Sequence, residues 1–180
     1  FSMFVPTKEK SPIHLPEKPE GAQWNSPPKY IDDLKYRADG NGYLKDGNDQ
    51  LFTIALEGGT PVQHTFSEHD HGSPVWSADG RSLYFSANLH DGHEYDPRNT
   101  EIYQLTLANG AIKALTDRQG PDSGPVLSPD GTTIAYTGFD DRYQGYQVTR
   151  LYVMDADGSN KKALTPGFDR DVAGVQWAAN

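Results

Sequence analysis

The segment Ser77-Ala78-Asp79-Gly80 returns about fifty residues further on as Ser128-Pro129-Asp130-Gly131, and its flanks return with it. Ser73-Pro74-Val75-Trp76 leads into the first copy and Gly124-Pro125-Val126-Leu127 into the second. Arg81-Ser82-Leu83-Tyr84-Phe85 and Thr132-Thr133-Ile134-Ala135-Tyr136 follow them. Self-similarity at a fixed period of this size restricts the chain to a repeat architecture.

The repeated unit is built of strands. No sustained three-and-four spacing of apolar residues is present, whereas short β-branched and aromatic runs alternate with Gly, Pro, Asp and Asn turns. In one unit Pro74-Val75-Trp76, Ser82 to Ser86, Glu101 to Leu107 and Ala111 to Thr116 read as four strands. In the next, Pro125-Val126-Leu127, Thr133 to Thr137, Leu151 to Met154 and Lys161 to Thr165 take the same places. Asn109-Gly110 and Asp157-Gly158 close the last hairpin of each, supplying the positive φ that tight hairpins need.

An irregular unit stands before these. Ser2-Met3-Phe4-Val5 reads as its second strand, Leu51 to Leu56 as its third and Pro61 to Thr65 as its fourth. A Pro-, Lys- and Glu-rich insert from Pro6 to about Asn48 separates the first two, with its own hairpin expected within 31–44. Val172 to Trp177 begins a further unit, Trp177 standing in phase with Trp76. Four antiparallel strands per repeat define the blade of a β-propeller, so the expected fold is all-β: a partial propeller of about three four-stranded antiparallel blades. The expected boundaries are 1–65 for the first blade with its insert at 6–48, 66–118 for the second and 119–167 for the third. Residues 168–180 would supply the first strand of a following blade. Closed propellers have about four to eight blades. The opening Phe1-Ser2-Met3-Phe4-Val5 lacks the charged region and length of a signal peptide and reads as a strand cut in mid-course.

Composition excludes several functions. Aromatic residues make up 11% of the 180, which argues for a packed core rather than disorder. A net charge of -9 without a basic run makes nucleic acid a poor partner. With no cysteine, thiol catalysis, disulfides and zinc knuckles are out. No apolar run is long enough to span a bilayer.

Ser-x-Asp-Gly, the strand endings Leu115-Thr116 and Leu164-Thr165, and Met154-Asp155-Ala156-Asp157-Gly158-Ser159-Asn160 resemble TolB-type, WD-like propeller repeats. Further stretches resemble the propellers of bacterial serine peptidases of the prolyl oligopeptidase family, in the acylaminoacyl/dipeptidyl peptidase branch. These are Ile31 to Gly40, Asp70-His71, Tyr95-Asp96-Pro97-Arg98-Asn99, and Gly167-Phe168-Asp169-Arg170-Asp171-Val172. The resemblance implies a propeller seated over an α/β-hydrolase domain, screening access to that domain's serine and favouring short or unstructured peptides. It also implies a periplasmic or secreted setting in a Gram-negative bacterium, while the absence of cysteine leaves the cytoplasm open as the alternative. Catalytic residues would lie in the hydrolase domain; none is assigned here, and no G-x-S-x-G elbow occurs.

Two clusters have the residue types of metal sites: His64, His69, Asp70 and His71, and Asp91, His93, Glu94 and Asp96. Neither has the helical or hairpin frame such ligand sets use, so polar connectors are the preferred reading and no metal or cofactor is expected. Asp155 to Asn160 lacks the sixth-position Gly and twelfth-position Glu of a calcium loop, and a hairpin turn explains it.

The better functional candidates lie in the connections between second and third strands: Pro6 to Asn48, Leu89 to Thr100 and Asp140 to Thr149. Equivalent connections of an up-and-down blade emerge on one face of the ring. These carry Tyr36, Arg37, Tyr43, His93, Tyr95, Arg98, Arg142, Tyr143 and Tyr146, residue types that anchor interfaces and peptide sites. Two functions are therefore open. One is a non-catalytic propeller piece of a serine peptidase, whose partners are the remaining blades, the hydrolase domain and peptide substrate. The other is a TolB-like protein-binding propeller without an enzyme domain. Self-association through unpaired strand edges is a further expectation, since an open array leaves edges and blade faces bare.

Overall fold

A computed structural model of the chain describes residues 1–7, 16–26, 28–72, 74–178. Ser73, Ala179, Asn180 and part of the long insert (8–15 and 27) therefore lie outside the described residues. Among those described there are thirteen strands and no helix.

The strands are β1 (Ser2–Pro6), β2 (Arg37–Ala38), β3 (Gly42–Tyr43), β4 (Gly47–Thr53), β5 (Val62–Gln63), β6 (Val75–Trp76), β7 (Ser82–Ala87), β8 (Glu101–Thr106), β9 (Ala111–Ala114), β10 (Asp122–Leu127), β11 (Thr133–Gly138), β12 (Arg150–Asp155) and β13 (Lys162–Ala163). They form two four-stranded meanders, β6-β7-β8-β9 and β10-β11-β12-β13, and a three-stranded sheet β1-β4-β5. The hairpin β2-β3 stands apart within the long insert, where Arg37 pairs with Tyr43. All pairings are antiparallel.

The turn that carries the repeat is built identically twice. Ser77 Oγ donates to Asp79 Oδ1 at 2.7 Å, Asp79 Oδ1 accepts Arg81 N at 3.0 Å, and Ser77 Oγ accepts Ser82 N at 2.9 Å. Ser128, Asp130, Thr132 and Thr133 repeat these bonds at 2.5, 3.0 and 2.9 Å. Gly80 and Gly131 sit at φ 67° and 74°, a left-handed conformation that costs glycine nothing. Hydrogen bonds from the serine hydroxyl and the following backbone N–H hold the Asp79 and Asp130 carboxyls below their ordinary range.

A second device also recurs. A threonine just past each fourth strand accepts a bond from the third strand: Leu51 N to Thr65 Oγ1 at 2.9 Å, Ile102 N to Thr116 Oγ1 at 2.8 Å, and Leu151 N to Thr165 Oγ1 at 3.0 Å. This is the role of the Leu-Thr strand endings seen in the sequence. It aligns the three sheets: Leu51, Ile102 and Leu151 hold one position, as do Gln50, Glu101 and Arg150.

The sheets pack face to face. Leu83, Phe85, Ala87, Tyr103 and Leu105 of the middle sheet meet Leu51 of the first. Its other face sends Tyr84 and Ile102 against Ile134, Tyr136 and Met154 of the third, with Leu115 between. Strand residues alternate between two buried faces, so Leu83, Tyr84 and Phe85 of β7 are buried in succession rather than every second residue.

Strand limits differ from the expected ones where pairing with a partner strand extends them. β4 starts at Gly47 because 47–51 pairs with Pro6 to Ser2. β10 reaches back to Asp122 past a bulge between Ser123 and Val126, where Gly124 takes φ 62°. Described residues 172–178 contain no strand; there Trp177 Nε1 donates to Val126 O at 2.9 Å.

Candidate functional site

The three inserts are joined to one another by side-chain contacts. Leu34 N of the first insert donates to Glu94 Oε1 of the second at 3.2 Å. Arg98 of the second pairs with Asp141 of the third at 2.9 Å. Gln119, in the connector between the two meanders, donates through Nε2 to Asp96 Oδ2 at 2.7 Å and to Tyr143 Oη at 3.2 Å.

Asp141 organises the third insert. Its side chain is almost wholly buried, and Oδ1 accepts Tyr143 N and Gln147 Nε2, both at 2.7 Å. Gln147 Oε1 in turn accepts Arg142 N at 2.6 Å. The Gln147 and Tyr143 donors and the Arg98 guanidinium hold the Asp141 carboxyl below its usual range against the opposing effect of burial. Tyr143 is fixed at φ 55°, a conformation uncommon for a residue with a side chain.

The other candidates divide. Tyr36 and Tyr43 lie 6.2 Å apart across the β2-β3 hairpin, with the Lys29 ammonium 4.6 Å from the Tyr43 ring centre. His93 meets His69 edge-on at 4.4 Å. Tyr95, Tyr143 and Tyr146 are exposed, at 83%, 71% and 65%. Arg98, Tyr143 and, through its backbone, Arg142 thus belong to one bonded network. Tyr36, Arg37 and Tyr43 make a separate group on their hairpin.

The histidine cluster ties a connector down. Asp70 Oδ1 accepts Asp49 N at 2.9 Å, and buried His71 places Nδ1 3.1 Å from Asp49 O with its ring against Phe85. His64 Nε2 lies 2.7 Å from Thr53 Oγ1. Burial lowers the pKa of all three imidazoles, and the neighbouring His93 lowers that of His69 further. Among the described residues no group of three or more His, Asp or Glu is arranged to hold a metal ion.

Sequence reasoning missed a buried polar cluster between the second and third sheets. Thr116 Oγ1 donates to Glu101 Oε2 at 2.5 Å, and Arg118 binds Asp122 while lying 4.0 Å over the Tyr152 ring. His90 Nε2 stands 3.7 Å from Glu101. Burial pushes Glu101 up to about 7 and Asp122 up to about 6. Arg118 pairs with Asp122, whereas Glu101 meets Thr116 and His90, so burial acts on the Glu101 carboxyl without a guanidinium bonded to it. An open cleft of about 130 Å³ lies beside them, lined by Arg118, Asp122, Tyr136, Tyr152 and Lys162. Its trace in the sequence is Glu101 heading a strand ahead of the apolar pair Ile102 and Tyr103.

No protein-family model matches the chain. Dipeptidyl-peptidase 5 of Porphyromonas gingivalis is 31% identical over 106 residues, which is 57% of this chain and 15% of that protein. The Tol-Pal system protein TolB of Francisella tularensis is 31% identical over 96 residues, 52% of this chain and 19% of TolB. The chain therefore spans less than a fifth of either relative. A solved TolB-type structure from Agrobacterium tumefaciens superposes with a TM-score of 0.53 at 23% identity, covering 64% of this chain and 40% of that one. The chain is a stretch of TolB-like β-propeller.

Its sheets are propeller blades, distantly homologous to those of TolB and dipeptidyl-peptidase 5. The blade seams are chemically unequal. In the first seam neutral Gln50 occupies the position that charged Glu101 takes in the second, and Gln50 Nε2 donates to Ser67 O at 2.8 Å.

Proposed function

We propose that this propeller stretch belongs to a serine peptidase, where its three inserts dock on an α/β-hydrolase domain outside this chain and line the path of peptide substrate. The observation that supports this most is the 31% identity to a dipeptidyl-peptidase across 106 residues. The cross-bonded inserts support it further, because a docking or gating face needs loops held in fixed relation by a rigid scaffold. On this reading the chain performs no bond cleavage itself. The blades run 1–65, 66–118 and 119–167, with 168–180 entering a fourth.

The equal identity to TolB favours a second reading, a protein-binding propeller without an enzyme domain. The two separate on the sequence that follows residue 180 and on activity. A peptidase predicts a G-x-S-x-G elbow after the remaining blades, and serine-dependent release of chromophore from aminoacyl or dipeptidyl chromogenic substrates by the full-length protein. Ring closure followed by a stop, with no such turnover, supports the binding propeller.

A further inference from the structure

We infer that Tyr143 and Asp96 form a receptor for a cationic side chain, an Arg or Lys, presented by an extended peptide at the insert face. The inference rests on the reading of that face as one that meets substrate or partner.

The first ground is backbone. Among the described residues only Tyr143 and Asn160 have positive φ without being glycine, at 55° and 54°. Asparagine tolerates this region; a bulky aromatic residue there is an outlier, and such outliers cluster at ligand contacts. The ring does not recover the cost by burial, since it is 71% exposed. The conformation is instead imposed from beneath by Asp141, which is itself fixed by Arg98 and Gln147. An exposed aromatic ring is thus held rigid, the property that makes tyrosine an effective contact residue.

The second ground is the carboxylate in the same frame. Gln119 Nε2 bonds both Tyr143 Oη and Asp96 Oδ2, so the phenol oxygen and the carboxylate are set one amide apart. An aromatic face with a neighbouring anion matches a guanidinium or ammonium by cation–π and ionic attraction together. Arg98 is held by Asp141, and Arg118 by Asp122 and Asp140, so neither competes for the place. The net charge of -9 draws cationic segments toward the surface.

The test is fluorescence anisotropy on the full-length protein with a labelled, unstructured Gly/Ser peptide carrying one central arginine. The control peptide has citrulline in its place. The Arg peptide should bind about fivefold more tightly, and Tyr143→Asn and Asp96→Asn should each remove that preference. Tyr143→Asn should leave Tm unchanged or higher, because asparagine relieves the backbone. Equal affinity for the two peptides, a preference that survives both variants, or a marked fall in Tm for Tyr143→Asn would overturn the proposal. Arg preference without serine-dependent turnover would refute the peptidase reading alone. Turnover without the preference would refute the receptor alone.

Discussion

Arg98 Nη2 lies 2.9 Å from Oδ2 of the buried Asp141, so the insert of one blade is locked to the insert of the next. This pair converts two loops, each polar and turn-rich, into one surface. Removing one partner of such a pair leaves the other charge buried with fewer donors.

Arg98→Ala should therefore loosen the inserts and spare the blades. Hydrogen exchange should accelerate across 89–100 and 139–149, while β7, β8, β11 and β12 keep their protection. Unchanged exchange in the inserts would show that Arg98 does not hold them. Acid should act in the same direction: the depressed Asp141 carboxyl stabilises the fold above its unfolded pKa of 3.8, and this is lost as pH falls through its lower native value.

The second seam responds to pH with the opposite sign. Burial raises Glu101 from 4.5 to about 7 and Asp122 from 3.8 to about 6. The folded state holds protons that the unfolded state releases, so the stabilisation is full below the unfolded values and disappears as pH rises through 6 to 7. His90, Arg118, Asp117, Asp140 and Tyr136 also bear on this seam. This seam contributes a Tm that falls from pH 5 to pH 8. The imidazoles of His64, His69 and His71 pull the opposite way, since their lowered pKa values favour the higher pH. Glu101→Gln, which copies Gln50 of the first seam, should flatten that slope and raise Tm at pH 8. A slope that survives the substitution would assign the effect to other groups.

The threonine bond between third and fourth strands should be costly to lose where it is dry. Thr116→Val leaves Ile102 N and the Glu101 carboxyl without their hydroxyl partner and should cost about 1–3 kcal/mol. The equivalent Thr165→Val, at a less buried position, should cost less. Chemical denaturation of the two variants measures the difference directly; equal losses would contradict the role of burial.

Gly138 offers a sharper steric test. A methyl group there would run into the Pro121 carbonyl, the Arg118 guanidinium and the Asp122 carboxyl. Gly138→Ala should lower stability by about 2 kcal/mol or more. Gly145→Ala, with open space around it, should change stability by less than about 0.5 kcal/mol. Comparable melting of the two variants would contradict the packing described for the seam.

Much of the fold was legible because it is written locally. Ser-x-Asp-Gly encodes a turn whose bonds all fall within six residues, and Leu-Thr encodes a bond across one hairpin, so both can be read without knowing the rest of the chain. Strand limits were less legible: β4 begins at Gly47 because distant Pro6 pairs with it, and no local signal announces that. The site was read by residue type only. Tyr143, Arg98 and Tyr95 stand out in a sequence, whereas Gln119, Gln147 and Asp141, which bond them together, look like ordinary loop residues. The Glu101–Thr116–Asp122 cluster escaped for the same reason: its members come from three elements, and only packing makes them neighbours.

The central proposal is that this face screens the entrance to a hydrolase domain. Its most direct test is the size selectivity of the full-length protein, measured with and without the Arg98–Asp141 lock. The intact protein should cleave a short chromogenic peptide in a reaction blocked by a serine-directed inhibitor, and spare a folded protein carrying the same sequence. Arg98→Ala should relax that selectivity and leave turnover of the short peptide unchanged. Absence of any serine-dependent cleavage, or cleavage with no dependence on substrate size, would contradict it.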